Sequence, residues 1–265
     1  MDSMHVLVIA AGSDIGAHLV EHYLKLGAQV TGTYRRMDDR IARLEQLGAR
    51  MLSLEIDSAA SVSAFVERMV QTGFRWNVLI SAPGLLAPIG NFFALDFDEW
   101  ERSVMVNSTS QLRVLHAVHG LRAAASKVIF FAGGGTNSAF DNYSAYCLGK
   151  LALIKMTELL DSECPDLQVS IIGTGWVNTK IHRQTLEAGA AAGDNYERTR
   201  DYIEGGQALG ATVEEVAQCI DWCISAERDA VGGRNFSLVH DQWRNPEFAT
   251  YLKENPNTYK LRRLS

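Results

Sequence analysis

Cysteine is scarce. The four in 265 residues, at 147, 164, 219 and 223, form no Cys-x-x-Cys pair and no metal-ligand spacing. They read as reduced thiols of a cytoplasmic protein, with Cys219 and Cys223 one turn apart on a helix. No metal is expected. A basic excess is also missing: 25 Lys and Arg stand against 31 Asp and Glu, a formal charge of −6, which excludes nucleic acid as the main partner. No apolar run is long enough to span a bilayer, and residues 1–5 lack the basic start of a secretory signal, so no membrane partner is expected either. Linkers, internal repeats and low-complexity tracts are absent, which argues for one domain over residues 1–265. What the chain does have is apolar content, 47% of residues, enough for one sizeable core.

Short β-branched or apolar runs alternate with longer helical patterns. Strands are expected at 5–10, 29–33, 51–56, 78–82, 127–132 and 168–173, and helices at 15–26, 40–47, 61–72, 98–119 and 144–162. This alternation implies an α/β fold, a three-layer doubly wound parallel sheet covered on both faces, with right-handed crossovers. Thr212-Val213-Glu214-Glu215 has the form of a capping box opening another helix. A final strand is expected within 232–239. Residues 180–209 break the rhythm with small residues and glycines, Gly205-Gly206 among them, and read as a lid over the site side of the sheet.

Tyr146 and Lys150 lie four apart and so share one helix face. A tyrosine free in water titrates near pH ~10, and a fixed cation beside it lowers that value, each unit corresponding to ~1.4 kcal/mol. The pair therefore has the makings of an acid/base group near neutrality. Upstream, the first strand runs into Ala10-Ala11-Gly12-Ser13-Asp14-Ile15-Gly16. That turn sets a helix N-terminus, with its free N–H groups and dipole, beneath whatever sits beyond the strand, an arrangement suited to a pyrophosphate. After the second strand come Tyr34, Arg35 and Arg36, where an acid would otherwise bond the adenosine ribose. Arginines there suit a 2′-phosphate and favour NADP(H) over NAD(H). Asp57, after the third strand, is placed to receive the adenine amino group.

In this order and spacing the motifs resemble the short-chain dehydrogenase/reductase family, in its single-domain branch, over nearly the whole chain. The turn at 10–16, the acid at Asp57, Ser81-Ala82-Pro83-Gly84 after the fourth strand, the stretch from Trp100 to Asn107, the Tyr146/Lys150 pair and the 174–179 segment each match a family motif. The resemblance implies a Rossmann-like fold and an NAD(P)-dependent oxidoreductase that interconverts a carbonyl and a secondary alcohol by hydride transfer. Tyr146 would move the proton, and Lys150 would tune it and hold the nicotinamide ribose. Asn107 would kink its helix, while Gly175, Val177 and Thr179 would close on the nicotinamide. The family pairs the helices expected at 98–119 and 144–162 across a two-fold axis, implying a homodimer or homotetramer.

Two positions depart from the pattern. The family's catalytic serine stands 13 residues before the tyrosine, where this chain has Gly133. Thr136, Ser138 or the backbone N–H groups of Gly133 to Gly135 are the candidates to replace it. The stretch 81–84 lacks the family's asparagines. With Gly133 in place of the serine, the competing expectation is a catalytically silent NADP(H) sensor or scaffold, which the retained Asn107, Tyr146 and Lys150 oppose. The cations Lys180, His182, Arg183, Arg198, Arg200 and Lys260, with Trp176 and Trp243, suggest a small-molecule substrate that is anionic or sugar-like.

Overall fold

In a computed structural model, which describes residues 4–177, 179, 181–205 and 210–263, one sheet organises the chain. Its seven strands are β1 (His5–Ile9), β2 (Gln29–Tyr34), β3 (Arg50–Ser53), β4 (Trp76–Ser81), β5 (Arg122–Phe131), β6 (Leu167–Gly173) and β7 (Asn235–Ser237). They run parallel in the order β3-β2-β1-β4-β5-β6-β7. Because both faces are covered, the central strands are continuous apolar runs: Val6, Leu7, Val8 and Ile9 are all buried. Order reverses between β1 and β4, and a crevice opens there at the carboxyl ends of the strands.

Two helical layers complete the domain. α1 (Asp14–Lys25), α2 (Asp39–Gln46), α9 (Val213–Ser225) and α11 (Phe248–Glu254) pack Leu19, Ile41, Ile220 and Leu252 against one face. α3 (Ala59–Gln71), α5 (Thr109–Val118) and α6 (Ser144–Glu163) pack Phe65, Val114 and Leu153 against the other. Several helix starts have a chemical reason. Ser13, Asp38 and Ser58 accept from the N–H three residues on, heading α1, α2 and α3. The expected capping box is present, with Thr212 and Glu215 each receiving the other's backbone N–H at the head of α9. A short α10 (Arg228–Val231) precedes β7.

Some expected boundaries move. The single helix at 98–119 is two, α4 (Phe97–Asn107) and α5, separated by Ser108 at φ −139°, ψ −89°. The Ser108 hydroxyl bonds back to the Val104 carbonyl and its N–H to Met105, closing the last turn early. Helix-forming residues on both sides hide that break from the periodicity. β3 stops at Ser53, since Ser58 N–H turns back to the Glu55 carbonyl. The final strand is three residues, followed by a turn in which Asp241 accepts from Ser237 N–H. Within the insert, α7 (Ile181–Ala188) and α8 (Asp194–Glu204) flank a 3₁₀ turn at Gly189–Ala192. Lys180 and Gly206 lie outside the described residues.

Candidate active site

The α4–α6 crossing fixes Tyr146 and Lys150. A Cβ on Gly149 would stand 2.6 Å from that of Asn107, so only glycine permits the approach. It buries Tyr146 and Lys150, at 8% and 2% exposure. Lys150 Nζ lies 5.8 Å from the Tyr146 ring centroid and donates to the carbonyls of Phe131, at 2.9 Å, and Pro83, at 3.2 Å. Burial dominates both groups: it lowers the Lys150 amine to about 7 and pushes the Tyr146 phenol above its ordinary value. The phenol is therefore held protonated, and is not lowered toward neutrality as the four-residue spacing from Lys150 suggested.

Gly133 sits directly against that phenol. A Cβ there would lie 2.3 Å from Tyr146 Oη and 2.5 Å from the ring. The space of a serine side chain is filled by the tyrosine. Of the proposed replacements, Thr136 lines the adjoining cavity, while Ser138 is exposed and absent from its wall.

Asn107 is buried and acts as a strap. Its amide donates to the Leu85 carbonyl at 2.7 Å and the Ser103 carbonyl at 2.9 Å, and its oxygen accepts from Leu85 N–H at 3.1 Å. The loop after β4 is held beneath the site in this way. Gln111, which the sequence did not single out, covers the missing asparagines. It accepts from the Ser81 hydroxyl at 2.8 Å and donates to the Pro83 carbonyl at 3.4 Å. A glutamine four residues after Asn107, on the same helical side, is the sequence signal that could have found it.

At the other end, Ser13, Asp14 and Ile15 present the first turn of α1 to the same cavity. Ala10 takes φ 62°, a left-handed conformation that favours glycine. A Cβ on Gly16 would meet the Ala10 carbonyl at 2.3 Å, so the turn needs glycine there. Ala11 is buried, and its N–H bonds the Thr33 carbonyl, tying the turn to β2. Arg40, also not foreseen, pairs with Asp14 at 2.7 Å and donates to the Gly12 carbonyl. Tyr34 is half-buried; Arg35 and Arg36 are exposed and, among the described residues, in no ion pair. None of these three is in the cavity wall, nor is Asp57, whose carboxylate pairs with Arg102 at 3.0 Å. These features fit a dinucleotide: a tight turn, a long helix aimed at the cavity, and Ala82, Pro83, Gly175, Val177 and Thr179 continuing the wall.

The cavity encloses about 700 Å³. α7 roofs it. Gln184 Oε1 accepts from Leu86 N–H at 3.0 Å and Ala87 N–H at 3.1 Å, and the Tyr143 hydroxyl donates to Thr185 at 2.9 Å. His182 bonds the Val177 carbonyl at 2.8 Å and stacks on Trp176. Leu86, Phe140, Tyr143 and Ile181 make the walls around Tyr146 apolar. The lid arginines do not contribute. Arg183 and Arg198 are exposed outside the wall, and Arg200 pairs with Glu197 on its own helix. Trp243 is buried in the core, and of the tail's basic residues His240 and Lys260 reach the wall.

Residues 9–239 match a family model described as enoyl-(acyl carrier protein) reductase. The chain belongs to the short-chain dehydrogenase/reductase family, a family of NAD(P)-dependent oxidoreductases. It is 25% identical to a D-threitol dehydrogenase of Mycolicibacterium smegmatis, over 62% of this chain and 65% of that enzyme, which is under two thirds of its length. It is 22% identical to an NAD-dependent glycerol dehydrogenase of Listeria innocua, over 88% of this chain and 91% of that one. The fold is shared with a short-chain dehydrogenase/reductase of Saccharomyces cerevisiae (TM-score 0.79, 19% identity, 94% and 99% covered). It is shared too with an actinorhodin polyketide ketoreductase solved with NADPH (TM-score 0.76, 21% identity, 89% and 95% covered).

Proposed function

We propose that this chain reduces a small-molecule carbonyl to a secondary alcohol with NADP(H), using Tyr146 as the acid. The carrying observation is the buried Tyr146–Lys150 pair in the wall of a cavity that also receives the head of α1. When bound, the reduced dinucleotide supplies the hydride. Ser13 to Ile15 would receive its pyrophosphate, Arg35 and Arg36 a 2′-phosphate, and Val177 and Thr179 its carboxamide end. Tyr146 gives its proton to the substrate oxygen as charge builds there. Burial holds the phenol protonated, so it serves as a donor and not as a base, and the donation relies on the charge that builds on the substrate oxygen. Lys150 has three N–H groups, and two carbonyls occupy part of that capacity. The remainder would stabilise the phenolate left behind. Thr136, in the cavity wall, would bond the substrate oxygen in the absence of a serine.

The insert at 180–209 acts as the substrate lid, its docking through Gln184 supporting that role. Four free cysteines, two of them buried one turn apart on α9, support a reducing, cytoplasmic setting. The retained Tyr146 and Lys150 oppose the silent sensor.

The test is oxidation of NADPH and NADH against a panel of ketones. Tyr146→Phe is expected to lose at least ~10²-fold in kcat while still binding NADPH, and Arg35→Asp to shift preference toward NADH. Binding without turnover of any carbonyl by the wild type would overturn the reading. An unchanged cofactor preference would remove the 2′-phosphate contact.

A further inference from the structure

Where a serine side chain would face Tyr146, the chain has three glycines in a row, Gly133 to Gly135. Sterics account for two of them. At Gly133 a Cβ would stand 2.3 Å from Tyr146 Oη. Gly135 takes φ 82°, and a Cβ there would stand 2.4 Å from Cys147 Sγ. Gly134 has no such constraint. A Cβ there would meet only the Phe140 ring, at 3.5 Å, and its φ lies outside the left-handed region.

The backbone of this stretch carries donors that the fold does not use. Ala132 N–H still meets the neighbouring strand, at the Ile172 carbonyl 3.0 Å away. The N–H groups of Gly133 and Gly134 have no hydrogen-bond partner among the described residues. Both residues line the cavity that holds Tyr146 and Lys150. The Gly133 backbone packs directly on the Tyr146 hydroxyl, so an oxygen accepting from that hydroxyl sits beside the same stretch of chain. The surroundings are apolar. Phe140 lies over Gly134 and stacks on Tyr143 at 4.3 Å, with Leu86 and Ile181 in the same wall. A donor set among such groups acts more strongly than in water. From the other side the turn is pinned to α6, where the Gly134 carbonyl receives Cys147 Sγ at 3.5 Å.

We infer that the backbone amides of Gly133 and Gly134 form an oxyanion site, which holds the substrate oxygen beside Tyr146 and takes the part of the absent serine. It rests on the carbonyl-reductase reading above. As the carbonyl carbon takes the hydride, its π pair moves onto oxygen, and the proton comes from Tyr146. Burial holds that phenol protonated, so negative charge builds on the oxygen before the proton crosses. Fixed N–H donors stabilise such charge without reorganising, and removing one lowers kcat by ~10²–10³. Amides also need no side-chain volume, which the Gly133–Tyr146 contact denies. The Thr136 hydroxyl, in the same wall, adds a further donor.

The experiment labels the whole protein with ¹⁵N-glycine and titrates it, with NADP⁺ present so that no reduction occurs, against two probes. Acetophenone brings a carbonyl with a flat apolar flank that suits Phe140 and Tyr143; α-methylstyrene has the same shape without the oxygen. The Gly133 and Gly134 N–H signals are expected to move downfield with the ketone and not with the alkene. In turnover with NADPH, Gly134→Pro, which deletes the N–H, is expected to fall about 10²-fold in kcat below Gly134→Ala, which keeps it. If proline unfolds the loop or blocks the cavity, seen as lost inhibition by α-methylstyrene, the wild-type signals decide. Signals that acetophenone leaves unmoved overturn the proposal, and so does an equal kcat in the two variants. Moved signals without turnover of any carbonyl would sustain the oxygen site and sink the reductase reading. Turnover with unmoved signals would sink the oxygen site alone.

Discussion

At the scale of single residues, the site turns on Gly133. Its missing side chain is not an open gap, because Tyr146 Oη lies within 2.3 Å of where a Cβ would be. Restoring the family's serine should therefore harm the enzyme. Gly133→Ser is expected to lower kcat at least tenfold, about 1.4 kcal/mol in the barrier, by displacing the phenol; a rise in kcat would show that the tyrosine moves aside freely. The sequence revealed the departure but not its compensation, since the contact joins residues that only the fold brings together. The same is true of the Tyr146–Lys150 electrostatics. Four-residue spacing pointed to the pair, whereas the burial that keeps the phenol protonated depends on Gly133 against it and on Leu86, Ile89 and Tyr143 in the cluster around it. Lys150 supplies a sign that can be checked. Its folded value of about 7 lies below that of the unfolded chain, so between about pH 7 and 10 the unfolded state binds more protons and stability rises with pH. Lys127 and Lys260 are shifted the same way, so the difference between proteins is the readout. Lys150→Met is expected to flatten the rise in urea midpoint across that window, by up to ~1.4 kcal/mol per pH unit at its steepest. Parallel pH curves for the two proteins would mean that the amine is solvated.

At the scale of elements, helix starts were the most legible features. Ser13, Asp38, Ser58 and the Thr212–Glu215 box are local chemistry, and local chemistry is written in order along the chain. The break at Ser108 was not legible in the periodicity, although the family resemblance implied a kink at Asn107, where α4 ends. It depends on Asn107 turning to Leu85, 22 residues away. In the insert, glycines and alanines gave no sign of the two helices, α7 and α8, that dock it. That docking concentrates on Gln184, whose one oxygen serves two amides of the loop after β4. Losing an acceptor for part-buried amides costs about 1–3 kcal/mol. Gln184→Ala is expected to speed amide exchange at Leu86 and Ala87 by at least tenfold and to raise KM for the carbonyl, with exchange in β1 unchanged. Unaltered exchange at those two amides would mean that the roof is held elsewhere.

At the scale of the whole molecule, alternating strands and helices with right-handed crossovers were enough to indicate a covered parallel sheet. The position of the tail in the cavity wall was not readable, because Arg234 reaches three carbonyls that no motif marks. Assembly is the remaining question at this scale, and the helix surfaces bear on it. The outer faces of α4 and α6 expose Met105, Leu148 and Leu159, at 39%, 46% and 36%, with Phe97 at 58% at the head of α4. The inner faces of these helices are already committed to the Asn107–Gly149 crossing and to the sheet, so the apolar stripe outside it serves neither core nor site. A two-fold pairing of α4 and α6, as the family resemblance implies, would cover it in both copies at once, since a two-fold interface is the same patch twice. Leu148 is the residue to change: it faces outward two positions after Tyr146, so a charge there burdens the interface without entering the cavity. Leu148→Asp would place a carboxylate against its own copy across the axis. The wild type is expected to be a dimer or tetramer by light scattering at micromolar concentration, and Leu148→Asp to run as a smaller species with its far-ultraviolet dichroism intact. A wild type that stays monomeric over that range would leave the stripe to some other role and the site complete within a single chain.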